Sequence, residues 1–173
     1  LIPETWKKKE IRVYECLNFP LEWKLKKVLM RNVSASDTMV FKKDKIWWML
    51  TNINPDFGSD HCSELSIFFS NNPLDNNWKP HPKNPIYVDP KKARNGGLLF
   101  DKNEIFRVSQ KQGFLKYGLS TQINKIRKIT KYEYEEEFFS QIKPNFFKKV
   151  DGTHHLHSNG NITVFDYSQK DRY

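Results

Sequence analysis

Residues 98–109 read LLFDKNEIFRVS: a short apolar run, a polar turn, then a second apolar run. Two other stretches align with it without a gap, MVFKKDKIWWML at 39–50 and HLHSNGNITVFD at 155–166. Phe41, Phe100 and His157 hold equivalent places. So do Asp44, Asn103 and Gly160 at the turn, and Ile46, Ile105 and Ile162 after it. A turn of this kind between apolar runs signals a β-hairpin. A weaker repeat lies between the hairpins: Leu65-Ser66 matches Leu119-Ser120, and Trp78 matches Tyr132. The stretch from Ile11 to Tyr14, with Trp23 and the run Lys24 to Leu29, resembles it again.

Four strands repeating at about 60 residues read as propeller blades. The expected fold is all-β, with blades of four antiparallel strands forming one domain over residues 1–173. Its parts are an outer hairpin of a partial blade (1–36), two blades (37–93 and 94–153) and an inner hairpin of another partial blade (154–173). Complete propellers carry roughly four to eight blades, so the chain reads as an incomplete propeller or a fragment of one. One helical turn is expected between Gln122 and Ile129.

Composition narrows the partners. Lysine and arginine number 29 against 20 acidic residues, a net charge of +9. This favours anionic partners, or simply a lysine-rich solvated exterior. The lysines are scattered over turns, and Trp47, Trp48 and Trp78 sit in strand patterns that point to the core. With no nucleic-acid motif either, nucleic acid is not expected as a partner. Hydrophobic residues at 38% and aromatics at 14% fit a folded chain rather than a disordered one. Cys16 and Cys62 lack the spacing of a zinc or disulfide framework and read as buried thiols. No apolar run is long enough to span a membrane, and no signal peptide is in view. The sequence implies no cofactor and leaves the compartment open.

The first residues of a propeller's inner strands cluster at one mouth of its channel. Here those strands are expected to begin near Asp37, Arg94 and His154, bringing a carboxylate, a guanidinium and an imidazole together. Gly96-Gly97 beside Arg94 lets a ligand or a neighbouring backbone come close. Arg94 and Arg107 can grip a phosphate or carboxylate through a planar fork, or serve as ion pairs between blades. Gln110 and Tyr117 suit sugar hydroxyls and sugar faces, or core-edge packing. Glycoside hydrolysis needs two carboxyl groups flanking one bond. Asp37, Asp60 and Glu64 are the candidates, Asp37 and Glu64 foremost, with His154 to move protons near neutral pH and Asp60 and His61 also offered as substrate contacts. An arginine beside Asp37 is expected to keep it ionised. The loop from Asn52 to Ser63 carries Asp56, Asp60 and His61 and is placed to overhang the mouth, although such acids equally serve turns. His155 and His157 share a strand face, with His154 opposite. A third ligand for zinc is not visible near them, so no metal site is expected. Glu133 and Glu135 to Glu137 read as a solvated outer strand.

The pattern Trp78, His81-Pro82, Asn84-Pro85, Ala93-Arg94, Gly96-Gly97, Phe100, Arg107, Gln110, Tyr117-Gly118, Ile126, Ile129-Thr130, Tyr134-Glu135 and Gly152-Thr153-His154 resembles a known family. It looks like the propeller domain that precedes the glycosyltransferase in glucosamine inositolphosphorylceramide transferases. That architecture is similar to the five-bladed propeller of glycoside hydrolase family forty-three. Two departures stand out: the proline usual after the family's arginine is Asn95, and the Asp-Pro that commonly opens a first blade is Asp37-Thr38. The resemblance implies a carbohydrate-active domain that binds a glycan, sugar nucleotide or sugar phosphate at the channel mouth. It would be linked to glycosyl transfer or glycoside processing. The alternative is a non-catalytic module that scaffolds a fused sugar-modifying enzyme.

Overall fold

The structure, a computed structural model, describes residues 1–55, 61–113 and 116–169. A 3-10 turn at Trp6–Lys8 precedes the antiparallel hairpin of β1 (Glu10–Asn18) and β2 (Glu22–Arg31). Next, β3 (Ala35–Lys43), β4 (Ile46–Ile53), β5 (Glu64–Ser70) and β6 (Lys79–Pro80) form an antiparallel meander, and β7 (Tyr87–Val88) also pairs with β5. A second meander follows: β8 (Asn95–Asp101), β9 (Glu104–Gly113), β10 (Lys116–Ile129) and β11 (Tyr134–Ile142). Last, β12 (Val150–Gly152) pairs with β15 (Ser168–Gln169), and β13 (Leu156–Ser158) pairs with β14 (Thr163–Phe165).

The chain is all-β and antiparallel, with no α-helix among the described residues. The three aligned hairpins turn at Asp44, at Asn103 and around Gly160. Asp44 and Lys45 both take positive φ, 52° and 65°, the backbone of a type I′ turn, which matches the twist of the flanking strands. Lys43 faces Ile46, whereas Asp101 faces Glu104. The second turn therefore falls one residue earlier than the ungapped alignment puts it. The helical turn expected between Gln122 and Ile129 is instead strand β10. β10 is paired on both sides, to β9 and to β11, so the ladders satisfy its backbone and its β-branched Thr121, Ile123, Ile126 and Ile129 fit the pleat.

β4 is buried on both faces, from Trp48 to Asn52. Trp48 and Leu50 pack with Phe41, Leu65, Ile67, Leu98, Ile126 and Tyr134. Met49, on the other face, packs with Ile11, Leu29, Val33, Phe68 and Trp78. The β3–β7 sheet is thus covered on one face by the β8–β11 sheet and on the other by the first hairpin, as period-2 strands require. The family-like residues His81 and Asn84 serve this packing. The Asn84 side chain donates to Ile67 O at 2.7 Å and accepts from Ile67 N at 2.8 Å, standing in for a strand at the edge of β5. His81 N donates to the same carbonyl at 2.9 Å. Cys16 and Cys62 are half-buried rather than buried.

Arg107 is fully buried on β9. Its Nε and Nη2 grip the Glu136 carboxylate at 2.7 and 2.6 Å. Nη2 also donates to Lys92 O at 2.8 Å, and Nη1 to Ala93 O at 3.3 Å and Asn95 Oδ1 at 3.2 Å. All five donors are spent, so Arg107 holds the approach to β8 and is not a substrate contact. Glu136 is correspondingly buried and also accepts from the Tyr134 hydroxyl at 2.6 Å. The reading of the acidic run as wholly solvated is corrected at this residue. Its neighbours do fit that reading, with Glu137 on Arg127 and Glu133 on Lys128 in exposed pairs.

Removing one partner of a buried ion pair strands the other charge, at about 3–5 kcal/mol. Glu136→Ala is expected to lower unfolding stability in urea by that amount, and the double change Arg107→Met with Glu136→Leu to recover most of it.

Candidate functional site

The ladder between β3 and β4 is interrupted between Ser36 and Met39, and Asp37 sits in the interruption with φ at 46°. Few residues adopt that backbone without glycine's freedom, and aspartate is among those that tolerate it. The bulge takes Asp37 out of the regular alternation of β3. Arg94 arrives from the turn in which Lys92 N and Ala93 N donate to Asp89 O at 3.1 and 2.8 Å. Its Nε donates to the Asp37 carboxylate and its Nη2 to Glu4 at 3.3 Å. Only 9% of the residue is exposed. Gln110 Nε2 donates to Asn95 O at 2.7 Å and reaches Asp37 at 3.5 Å. Tyr117, 56% exposed, has its ring centroid 5.8 Å from the Arg94 guanidinium and 5.3 Å from the His154 ring, edge-on to the latter. His154 Nδ1 is paired with the Asp166 carboxylate.

Asp37, Arg94, Gln110, Tyr117 and His154 therefore share one corner. Two expectations about it change. Arg94 is not a free anion clamp, because Asp37 and Glu4 occupy its Nε and Nη2. Asp37 is not held low by its arginine. Burial pushes its carboxyl above the ordinary range, the Glu4 charge adds to this, and Arg94 and His154 offset it only in part. Two carboxylates share one guanidinium here.

The remaining candidates lie apart. Glu64 opens β5 opposite Val88, two strands away from β3. His61 bonds to Ser34 Oγ at 2.9 Å and lies 5.5 Å from the Trp6 ring. Asp56 and Asp60 lie outside the described residues. His155 and His157 stack at 6.4 Å, while His154 turns to Tyr117 and Asp166.

Several residues that matter here were not singled out from the sequence. Glu4 lies far from Arg94 in the chain and carries no motif. Asn52 and Asn95 knit the corner from below. Asn95 N donates to Asn52 Oδ1 at 2.8 Å, Asn52 Nδ2 donates to Ala93 O at 2.9 Å, and Asn95 Nδ2 donates to Asp37 O at 3.0 Å. A proline at 95 would lack the N–H given to Asn52, so the departure from the family pattern has a structural use.

Gly96 and Gly97 answer to a backbone. A Cβ on Gly96 would lie 2.5 Å from His154 O, and one on Gly97 would strike Leu156 O. β8 is thereby pressed between β3 and β13, and Leu98 N donates to His157 Nδ1 at 3.2 Å. Beside these strands runs a cleft of about 570 Å³, lined among others by Glu4, Asp37, Thr38, Gly97, His155 and His157.

Antiparallel meanders meeting at a charged, aromatic corner define a β-sheet domain with a ligand-sized cleft. Residues 1–159 match the family described as "Glucosamine inositolphosphorylceramide transferase 1, N-terminal", and the chain belongs to that family. It is 40% identical over 139 residues to glucosamine inositolphosphorylceramide transferase 1 of Oryza sativa subsp. japonica, and 36% identical over 140 residues to that of Arabidopsis thaliana. Each match covers 79% of this chain and 18% of the relative, so the chain spans under a fifth of the relatives' length. No solved structure matches it significantly. No helix among the described residues is long and apolar enough to cross a membrane.

The histidine that ties β13 to β8 is sensitive to acid. Burial, then the neighbouring His155, hold His157 below the ordinary imidazole value, and burial lowers His81 as well. The unfolded chain then binds more protons than the folded one, so stability is present above about pH 6.5 and is lost as pH falls below it. The melting temperature is expected to drop between pH 7.5 and 5.5, and His157→Gln to reduce that drop.

Proposed function

We propose that this chain is a carbohydrate-recognition module serving glycosyl transfer, built as an incomplete propeller of the five-bladed type. Its channel mouth is the corner of Asp37, Arg94, Gln110, Tyr117 and His154. The family associates the chain with glycosyl transfer, and its relatives are named for glucosamine and inositolphosphorylceramide. The observation that carries the reading is the exposed Tyr117 ring beside the partly buried, hydrogen-bonded Arg94–Asp37 ion pair. An aromatic face with fixed polar groups at its edge is the chemistry that holds a sugar ring.

Charge favours a hydroxyl- or amine-bearing ring over a phosphate at this corner. Glu4 and Asp37 share one arginine, Arg94, and occupy its Nη2 and Nε, while Asp166 is paired with His154. Binding is favoured over hydrolysis, because Asp37 and Glu64 belong to strands at different places in the sheet and a carboxylate pair must flank one bond. The exposed apolar rings of Phe138, Phe139 and Phe147 favour a second, compatible role in contacting a fused enzyme.

The test is calorimetric titration with glucosamine, myo-inositol and myo-inositol phosphate. At least one unphosphorylated ring is expected to bind, and Tyr117→Ala to weaken it about tenfold, the scale of one lost aromatic contact. Binding of the phosphate alone, or binding untouched by Tyr117→Ala, contradicts the reading.

A further inference from the structure

We infer that Asp166 is a positioning residue that fixes the His154 imidazole as the Nδ1–H tautomer and leaves Nε2 as the acceptor for a ligand hydroxyl. The inference rests on the sugar-binding reading above and deepens it, because Asp166 belongs to no motif and touches no other part of the corner. Asp166 follows β14 and is turned back onto the start of β13. One of its oxygens accepts the backbone N–H of His154 at 3.0 Å and of His155 at 2.9 Å. The other pairs with His154 Nδ1. Thr153 Oγ1 donates to the Asp166 carbonyl at 2.9 Å, and Asp166 N donates to His155 O at 3.2 Å. The carboxylate is therefore held from several directions before it meets the ring.

A carboxylate in this state only accepts, so the neutral imidazole must present Nδ1–H to it. The ring nitrogen left over, Nε2, then carries a lone pair. The same second-partner logic sets the tautomer of metal-bound and catalytic histidines. The His154 side chain is 38% exposed, and it lines a small cleft with Tyr117, Gly118, Gly152 and Tyr167. Gly118 takes φ 64°, and a Cβ there would press on His154 Cβ at 3.2 Å. The ring is thus boxed by Gly118 below, Tyr117 at its edge and Asp166 at Nδ1. What it can offer a ligand is an acceptor. A sugar hydroxyl, a donor, is the matching group, and a phosphate oxygen is not.

Asp166→Asn separates positioning from folding. The amide oxygen can keep the two backbone N–H bonds, while its NH₂ now faces Nδ1 and favours the Nε2–H tautomer. Long-range ¹⁵N–¹H NMR at about pH 8, above the ordinary imidazole pKa of about 6.5, reads the tautomer with no ligand present. The expected result is Nδ1–H in the wild-type protein, Nε2–H in Asp166→Asn, and a tenfold or greater loss of affinity for the sugar that the wild-type protein binds. Nε2–H in the wild-type protein overturns the inference, and so does a switched tautomer with unchanged affinity. If the wild-type protein binds no sugar, the functional reading fails and takes the ligand half with it, while the tautomer still decides the positioning.

Discussion

The close approach of β13 to β8 over Gly96 and Gly97 is the constraint on which the corner depends. Strands in one sheet stay about 4.8 Å apart through their ladder, but β8 and β13 belong to different sheets, and side chains between them would normally hold them apart. With no Cβ at 96 or 97, the carbonyls of His154 and Leu156 lie against the β8 backbone. Gly97 also takes φ 134°, which an L side chain rarely adopts. That contact brings His154 beside Tyr117, and β8 in turn brings Arg94 beside Asp37 on β3. Three strands remote in sequence thereby meet at one place.

The corner so formed is costly to build. A buried guanidinium needs its hydrogen bonds filled, and a buried carboxylate beside a second one is pushed toward its neutral form. Amide side chains offset this from beneath: Asn52, Asn95 and Gln110 satisfy the backbone of Ala93, Asp37 and Asn95. Arg107 does the same one layer deeper, closing the Lys92 and Ala93 carbonyls against Glu136. The two arginines are thus alike in sequence and different in work. One is sealed into the sheet interface, and the other stands at the rim with Tyr117 over it.

The sheets were legible because their signal is local. Apolar runs with Asp44, Asn103 and Gly160 at the turns announce hairpins whatever surrounds them, and the repeat fixed their order along the chain. The one-residue shift at Lys102–Asn103 was not legible, because an ungapped alignment cannot register where a turn closes. The helical turn proposed near Gln122 failed for a related reason: pairing on both sides of β10 outweighs any local preference. At the corner, Asp37, Arg94 and His154 were readable from equivalent positions at strand starts. Glu4 and Asp166 were not, since each reaches its partner through a turn whose geometry sequence spacing does not fix. Glu136 was hidden in a run of glutamates, and only its register opposite Ile126 and across from Arg107 separates it from its solvated neighbours.

The most direct measurement of this account is amide hydrogen exchange on the Gly97→Ala protein, with β9 to β11 as the internal reference. If β8 carries β13 by backbone contact, protection should collapse at Leu156 to Ser158 and at Leu98, while Val108 and Ile126 stay protected. Protection at Leu156 to Ser158 equal to that of the unchanged protein would contradict it, because the corner would then be held together without the glycine contact.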